Sequence, residues 1–106
     1  MNGKLIRNNI PEIAARNGDK IVVRKAHPSE MPVLTRLKLL EEFDEVMNAH
    51  TDELLGELVD LIEVAYAMAL AQGHDASAVD TARAAKAHAR GDFSERLVMQ
   101  LPGPEA

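Results

Sequence analysis

The sequence predicts an all-α fold: an antiparallel helical hairpin and a C-terminal helix, completed to a four-helix bundle by dimerisation. Three observations lead there. Aromatic residues make up only 3% of the 106 positions and there is no Trp, so the apolar material is Leu, Val, Ile, Ala and Met. That composition favours packed helices over aromatic-rich strands. Beyond residue 29, apolar residues recur three or four apart over two long stretches, which is helical spacing. The link between those stretches is short, and short links join antiparallel neighbours.

Taken in order, Asn9 is placed to cap a short helix with Pro11 in its first turn, and Asn17-Gly18-Asp19 reads as a turn. Lys20 to Arg24 has strand-like composition but no obvious partner, so it is expected to be extended arm or a small edge element. Residues 1–28 thus form an N-terminal arm. Ser29 is a candidate cap for a long helix running to about Ala49, whose Leu34, Leu37, Leu40, Phe43 and Met47 form one stripe. His50-Thr51-Asp52 turns the chain into a second long helix, which ends at Gln72-Gly73. This helix is apolar almost all round after Glu57 and must be covered on several sides. The third helix, from Asp75 or Ser77 to Arg90, is rich in alanine and offers too little cover. A homodimer or larger assembly is therefore expected. Gly91 ends that helix, and residues 91–106 form a tail whose Phe93, Leu97 and Met99 are expected to pack back.

Length sets one domain, 1–106. With no Cys, disulfides and thiolate metal sites are excluded. The first residues lack the apolar stretch of a signal peptide, and Glu57, Asp60 and Glu63 break the longest apolar run, so no membrane span and a cytoplasmic location are expected. Residues 1–28 carry six Lys/Arg against two acids, whereas residues 29–63 carry ten acids against Arg36 and Lys38. An acidic middle beside a basic arm does not suit nucleic acid, which wants a continuous positive surface. It suits an anionic ligand bridged by a cation. There is no glycine-rich phosphate loop, the four His have no metal spacing, and no nucleophile arrangement surrounds the Ser and Thr residues.

Glu42 and Glu45 lie three residues apart and are neighbours on one helix; Glu57 and Asp60 repeat the spacing on the next. In an antiparallel pair the four can face one another. Clustered carboxylates repel unless a cation neutralises them, and all-oxygen donors are what Mg²⁺ or Mn²⁺ prefers. Spacing alone leaves a solvated acidic face as the alternative. Against it, Glu57 and Asp60 interrupt the most apolar segment of the chain.

The run Lys38-Leu-Leu-Glu-Glu-Phe-Asp-Glu45, with Glu57-Leu-Val-Asp60-Leu-Ile-Glu63, resembles the all-α nucleoside triphosphate pyrophosphatase superfamily, the MazG-like enzymes, whose signature is E-x-x-E followed by E-x-x-D. The opening Lys4-Leu-Ile-Arg-Asn-Asn-Ile-Pro-Glu-Ile13 and the closing Lys86-Ala-His-Ala-Arg90-Gly-Asp-Phe93 resemble its phosphoribosyl-ATP pyrophosphohydrolase-like branch. The opening motif departs at Asn8 and Asn9, where Asp and Lys are usual. The resemblance implies Mg²⁺ (or Mn²⁺) held by Glu42, Glu45, Glu57 and Asp60, and a nucleotide substrate cut between its α and β phosphates to a monophosphate and pyrophosphate. It implies Glu41 or Glu63 as an outer ligand or a base for water. Lys4, Arg7, Lys86 and Arg90 lie in the matching motifs and are candidates to pair the phosphates; the alternative for them is ordinary surface charge or a salt bridge. Nucleotide-pool house-cleaning is the expected role. Phosphoribosyl-ATP hydrolysis in histidine biosynthesis, or a non-catalytic helical scaffold, are the competing expectations.

Overall fold

A computed structural model of the chain describes residues 3–103; Met1, Asn2 and residues 104–106, the ends of the predicted arm and tail, lie outside the described residues. Four α-helices follow in order: α1, Ile10–Arg16; α2, Met31–Asn48; α3, Leu54–Ala71; and α4, Ala76–Arg90. A single 3₁₀ turn, Pro28–Glu30, precedes α2, and no strand occurs among the described residues. Lys20 to Arg24 is extended arm, because a lone β-rich segment finds no edge to pair with in an all-helical chain.

The short helix α1 starts at Asn9 with Pro11 in its first turn, although the Asn9 side chain makes no capping hydrogen bond. Its end and that of α3 are built alike. After α3, the Gly73 N–H donates to the Leu70 carbonyl and the His74 N–H to that of Ala69, both at 2.9 Å. This double bond pattern needs a left-handed residue after the cap, and Gly73 supplies φ +91°. Asp75 starts α4, its carboxylate accepting the Ala78 N–H at 2.9 Å, so the start expected at Asp75 or Ser77 is set by Asp75.

Ser29 does not cap α2. It lies inside the 3₁₀ turn, whose cap is His27: Nδ1 accepts the Ser29 N–H at 3.1 Å while Glu30 accepts the His27 N–H at 2.7 Å. Pro28 is suited to a first helical position, which moves the cap two residues back from Ser29, to His27. Arg24 anchors the turn by a two-pronged bond to Glu30, 2.7 and 3.0 Å, and with the His27 N–H holds that carboxyl down at about 2 against an ordinary 4.5. A depressed folded pKa means stability that is full above 4.5 and lost as pH falls through about 2. Arg24→Gln is expected to move the Glu30 midpoint, followed by NMR titration of its carboxyl carbon, back toward the ordinary carboxylate range.

Helices α2 and α3 form the hairpin. Eighteen residues make each about 27 Å long, while the five-residue link reaches at most about 18 Å, so the helices, in contact along their lengths, run antiparallel. α4 packs on α3. The arm crosses the hairpin and is tied to both of its helices, by Lys4 to Glu41 and by Arg7 to Asp60.

Most of the apolar stripe of α2 faces outward, with Leu34 alone of its members buried. The α2 face turned to α3 carries Thr35, Lys38 and Glu42, while Leu37, Leu40, Phe43 and Met47 of the apolar stripe are 49–67% exposed. On α3, Leu55, Val59 and Ile62 are 49–75% exposed. Leu34 and Val64 are the only fully buried apolar side chains among the described residues. The tail does not pack back: Phe93, Leu97 and Met99 are 81–96% exposed. The radius of gyration is 18.2 Å, against about 13 Å for a compact chain of this length. The accessible surface is 9415 Å², where roughly 5,800 Å² is usual for the mass. Among the described residues, no helix is long and apolar enough to cross a membrane.

Candidate metal centre and adjoining groove

Thr35, Lys38 and Glu42 follow one another by three and four residues on α2, so they share the face that meets α3. The Thr35 hydroxyl, 1% exposed, returns its proton to the Met31 carbonyl at 2.7 Å, which leaves it without polar demand on the seam. Glu42 is then the one fully buried acid among the described residues, 8% exposed. On α3, Glu57 and Asp60 stand one turn apart and half buried, facing it.

Each of Glu42, Glu57 and Asp60 presents a carboxylate oxygen within 4.8 Å of the other two. Oxygens coordinated to one hard cation at about 2.1–2.5 Å lie roughly 3 to 5 Å apart, so this trio could hold a metal ion with little rotamer adjustment. The donors are all oxygen, which suits hard divalent ions. Glu45 lies outside this trio, exposed one turn beyond Glu42, but near enough for its charge to act on Glu57.

Cations from the arm and from α2 already face the acids. Lys4 bonds Glu41 at 2.9 Å; Lys38 reaches Glu41 at 3.2 Å and Glu42 at 3.6 Å; Arg7 bonds Asp60 at 2.7 Å. The Lys4 ammonium, with Lys38 helping, holds the Glu41 carboxyl below its ordinary value, which makes Glu41 a poor acceptor of a proton from water. Glu57 goes the other way. Desolvation first, then the charges of Glu45, Asp60 and Glu42, push its carboxyl up. A cation among these acids would relieve that repulsion.

Beside the acids runs an open groove of about 1120 Å³ between the arm and the hairpin. Arg7, Lys38, Glu42, Asp60 and Glu63 line it. Further along, Ile10 and Ile13 from α1 and Ala67 and Leu70 from α3 line it together with Asp75 at the start of α4, while Leu5 and Ile6 of the arm line it before Arg7. Glu63 is exposed on this wall. Lys86 and Arg90 sit on exposed positions of α4 and do not line the groove.

Lys38 is 16% exposed at its side chain and belongs to the carboxylate seam. Tyr66 lines the groove, its hydroxyl donating to Asp80 of α4. Asn8 and Asn9 line it too. The single signal that marked the two asparagines was their departure from the opening motif; nothing local marked Tyr66.

The chain matches no family model, and no significant similarity was found among curated proteins or among solved structures.

Proposed function

We propose that this chain is a Mg²⁺-dependent nucleotide pyrophosphohydrolase that works as a homodimer, cleaving a nucleoside triphosphate between its α and β phosphates. The observation that carries the reading is the convergence of Glu42, Glu57 and Asp60 oxygens within 4.8 Å on facing helices, beside an open groove of about 1120 Å³ with room for a nucleotide. The motif resemblance supplies the reaction; a triad of acids alone does not choose one.

A bound Mg²⁺, or Mn²⁺, would contribute charge neutralisation at phosphate oxygens and a water of lowered pKa. The chain's residues do the rest. Glu42, Glu57 and Asp60 hold the ion, and Glu45 extends the acidic row at the rim. Glu63, on the groove wall and without a cation partner among the described residues, is better placed than Glu41 to take a proton from water. Arg7 and Lys4 exchange their carboxylate partners for phosphate oxygens. Their ion pairs are half exposed or more at the basic side chain, 51% and 65%, so each contributes under about 1 kcal/mol and gives way easily. Lys86 and Arg90 complete the cationic set only if α4, or that of a second copy, approaches the substrate. House-cleaning of the nucleotide pool in the cytoplasm is the biological role this chemistry serves.

The dimer belongs to the same proposal. The apolar stripe of α2 and the exposed Leu55, Val59 and Ile62 of α3 are the surfaces it would bury.

Arg7→Gln is expected to leave the unfolding free energy within about 1 kcal/mol, while raising KM for triphosphate on the order of tenfold with less effect on kcat. A change confined to stability would remove Arg7 from the phosphate site. The decisive assay is pyrophosphate release from normal and modified triphosphates with Mg²⁺ or Mn²⁺, with growth of a histidine auxotroph testing phosphoribosyl-ATP as substrate.

One observation favours a second reading, a non-catalytic helical dimer: Lys4, Lys38 and Arg7 already neutralise Glu41, Glu42 and Asp60. Calorimetry with Mg²⁺ separates the two, since a scaffold has no use for the ion.

A further inference from the structure

We infer that Asn8 and Asn9 are specificity residues which read the hydrogen-bonding edge of a nucleobase lying in the groove. The inference rests on the proposed triphosphate site and adds to it the part of the substrate that the metal centre does not touch.

Acids and apolar residues share the groove, and α3 gives the distance between them. Asp60 is one of the acids, and residues of the same α3 face, Val64, Ala67 and Leu70, continue the wall away from it. Ten residues of helix separate Asp60 from Leu70, a ruler of about 15 Å. The opposite wall is the arm. Arg7 bonds Asp60, Asn8 and Asn9 come next, and Ile10 and Ile13 follow. Leu5 and Ile6 line the arm before Arg7, and Asp75 stands beside Leu70, but between Arg7 and Ile10 the only side chains on this wall are the two carboxamides, where a nucleotide held by its phosphates would present its hydrogen-bonding edges.

The chemistry of the two side chains fits that middle position. A carboxamide carries a donor and an acceptor side by side, the complement of a base edge, and it brings no charge that would compete with the phosphates for Arg7 or the metal. Asn9 occupies the cap position of α1, yet its side chain makes no capping bond, so its hydrogen-bonding capacity is not used by the helix. The sole tyrosine of the chain completes the wall. Tyr66 is tied through its hydroxyl to Asp80, which fixes the ring beside the groove as a surface for a base.

The test measures binding of α,β-methylene nucleoside triphosphates and of inorganic tripolyphosphate, each with Mg²⁺, by calorimetry. The Tyr66 ring resonances, unique in this chain, report groove occupancy. The wild-type chain is expected to bind its best nucleotide at least tenfold more tightly than tripolyphosphate and to shift the Tyr66 signals with the nucleotide alone. Asn8→Ala with Asn9→Ala should erase that advantage while tripolyphosphate binding stays the same. The isosteric Asn8→Asp and Asn9→Asp variants should reorder the preference among bases, and circular dichroism checks that each variant keeps its helices. Nucleotide binding that survives in the Asn variants with the same base ranking would overturn the inference and leave the metal-site proposal standing. If tripolyphosphate does not bind but phosphate-free nucleosides still shift Tyr66, and lose that shift in the Asn variants, the base site stands and the hydrolase reading falls. A groove that binds none of these probes overturns both.

Discussion

Replacing Glu57 with Gln is expected to weaken divalent-cation binding on the order of 100-fold or more and to abolish pyrophosphate release, without harming the fold. The basis is the electrostatic contrast within the triad. Glu57 is the member with no cation beside it among the described residues, and its carboxyl is pushed up by desolvation and by Glu45, Asp60 and Glu42. Losing one donor of three removes both a ligand and the charge that attracts the ion; even residues behind metal ligands are worth 10–100-fold in affinity. The sign for stability is opposite. A carboxyl with a raised folded pKa favours folding while protonated, and that contribution is lost as pH rises through the folded pKa. A neutral carboxamide is free of that loss, so Glu57→Gln should melt slightly above the wild type at neutral pH without metal, and below it when Mg²⁺ saturates the wild type. Thermal melts with and without Mg²⁺, beside calorimetry, read both signs. A variant that binds Mg²⁺ like the wild type would sink the metal-centre reading.

A charge placed on the exposed stripe is expected to unfold or dissociate the protein. Leu40 is 65% exposed and Ile62 52%. If the chain worked alone, Leu40→Glu or Ile62→Glu would be a surface change worth within about ±0.5 kcal/mol. If a second copy covers these faces, each substitution removes a side chain contributing about 1.5–3 kcal/mol in each protomer and buries a carboxylate besides. The two outcomes differ by several-fold in energy, so the experiment is decisive. Sedimentation should show a dimer for the wild type and a smaller, loosened species for the variants, and the wild-type melting temperature should rise with protein concentration. The surface supports the larger effect. An excess of roughly 3,600 Å² over a compact chain of this mass, part of it arm and tail, is more than the ~800 Å² per partner that a stable interface needs. A domain with two fully buried apolar side chains has little else to hold it.

How much of this was legible beforehand differs from element to element, for physical reasons. The hairpin was legible because its signals are local: helical spacing in α2 and α3, Gly73 in the left-handed stop, a short link between. Ser29 was misjudged because capping depends on backbone angles that Pro28 sets one residue earlier. The tail was expected to fold back on the strength of Phe93, Leu97 and Met99, but apolar residues pack only where a surface is shaped to receive them. Glu42, Glu57 and Asp60 could be singled out from spacing, since one helical turn brings each pair together. That Glu45 stands apart from them could not, because the rotation of α2 about its own axis decides which of two carboxylates a turn apart enters the seam.

That rotation is the main thing the tertiary structure decided. The sequence by itself determined the helices, their order and antiparallel path, and the concentration of acid on two of them, all consequences of periodicity and charge counted along one chain. Only the packed structure shows that α2 turns Leu37, Leu40, Phe43 and Met47 outward and Leu34, Thr35, Lys38 and Glu42 inward, and that the arm lies across the hairpin to make a groove with Asn8, Asn9 and Tyr66 on its walls. The hydrophobic effect would send the leucine stripe to whichever surface covers it, and a single sequence does not say whether that surface is its own or another copy's. Within the hairpin, the carboxylate seam is what remains.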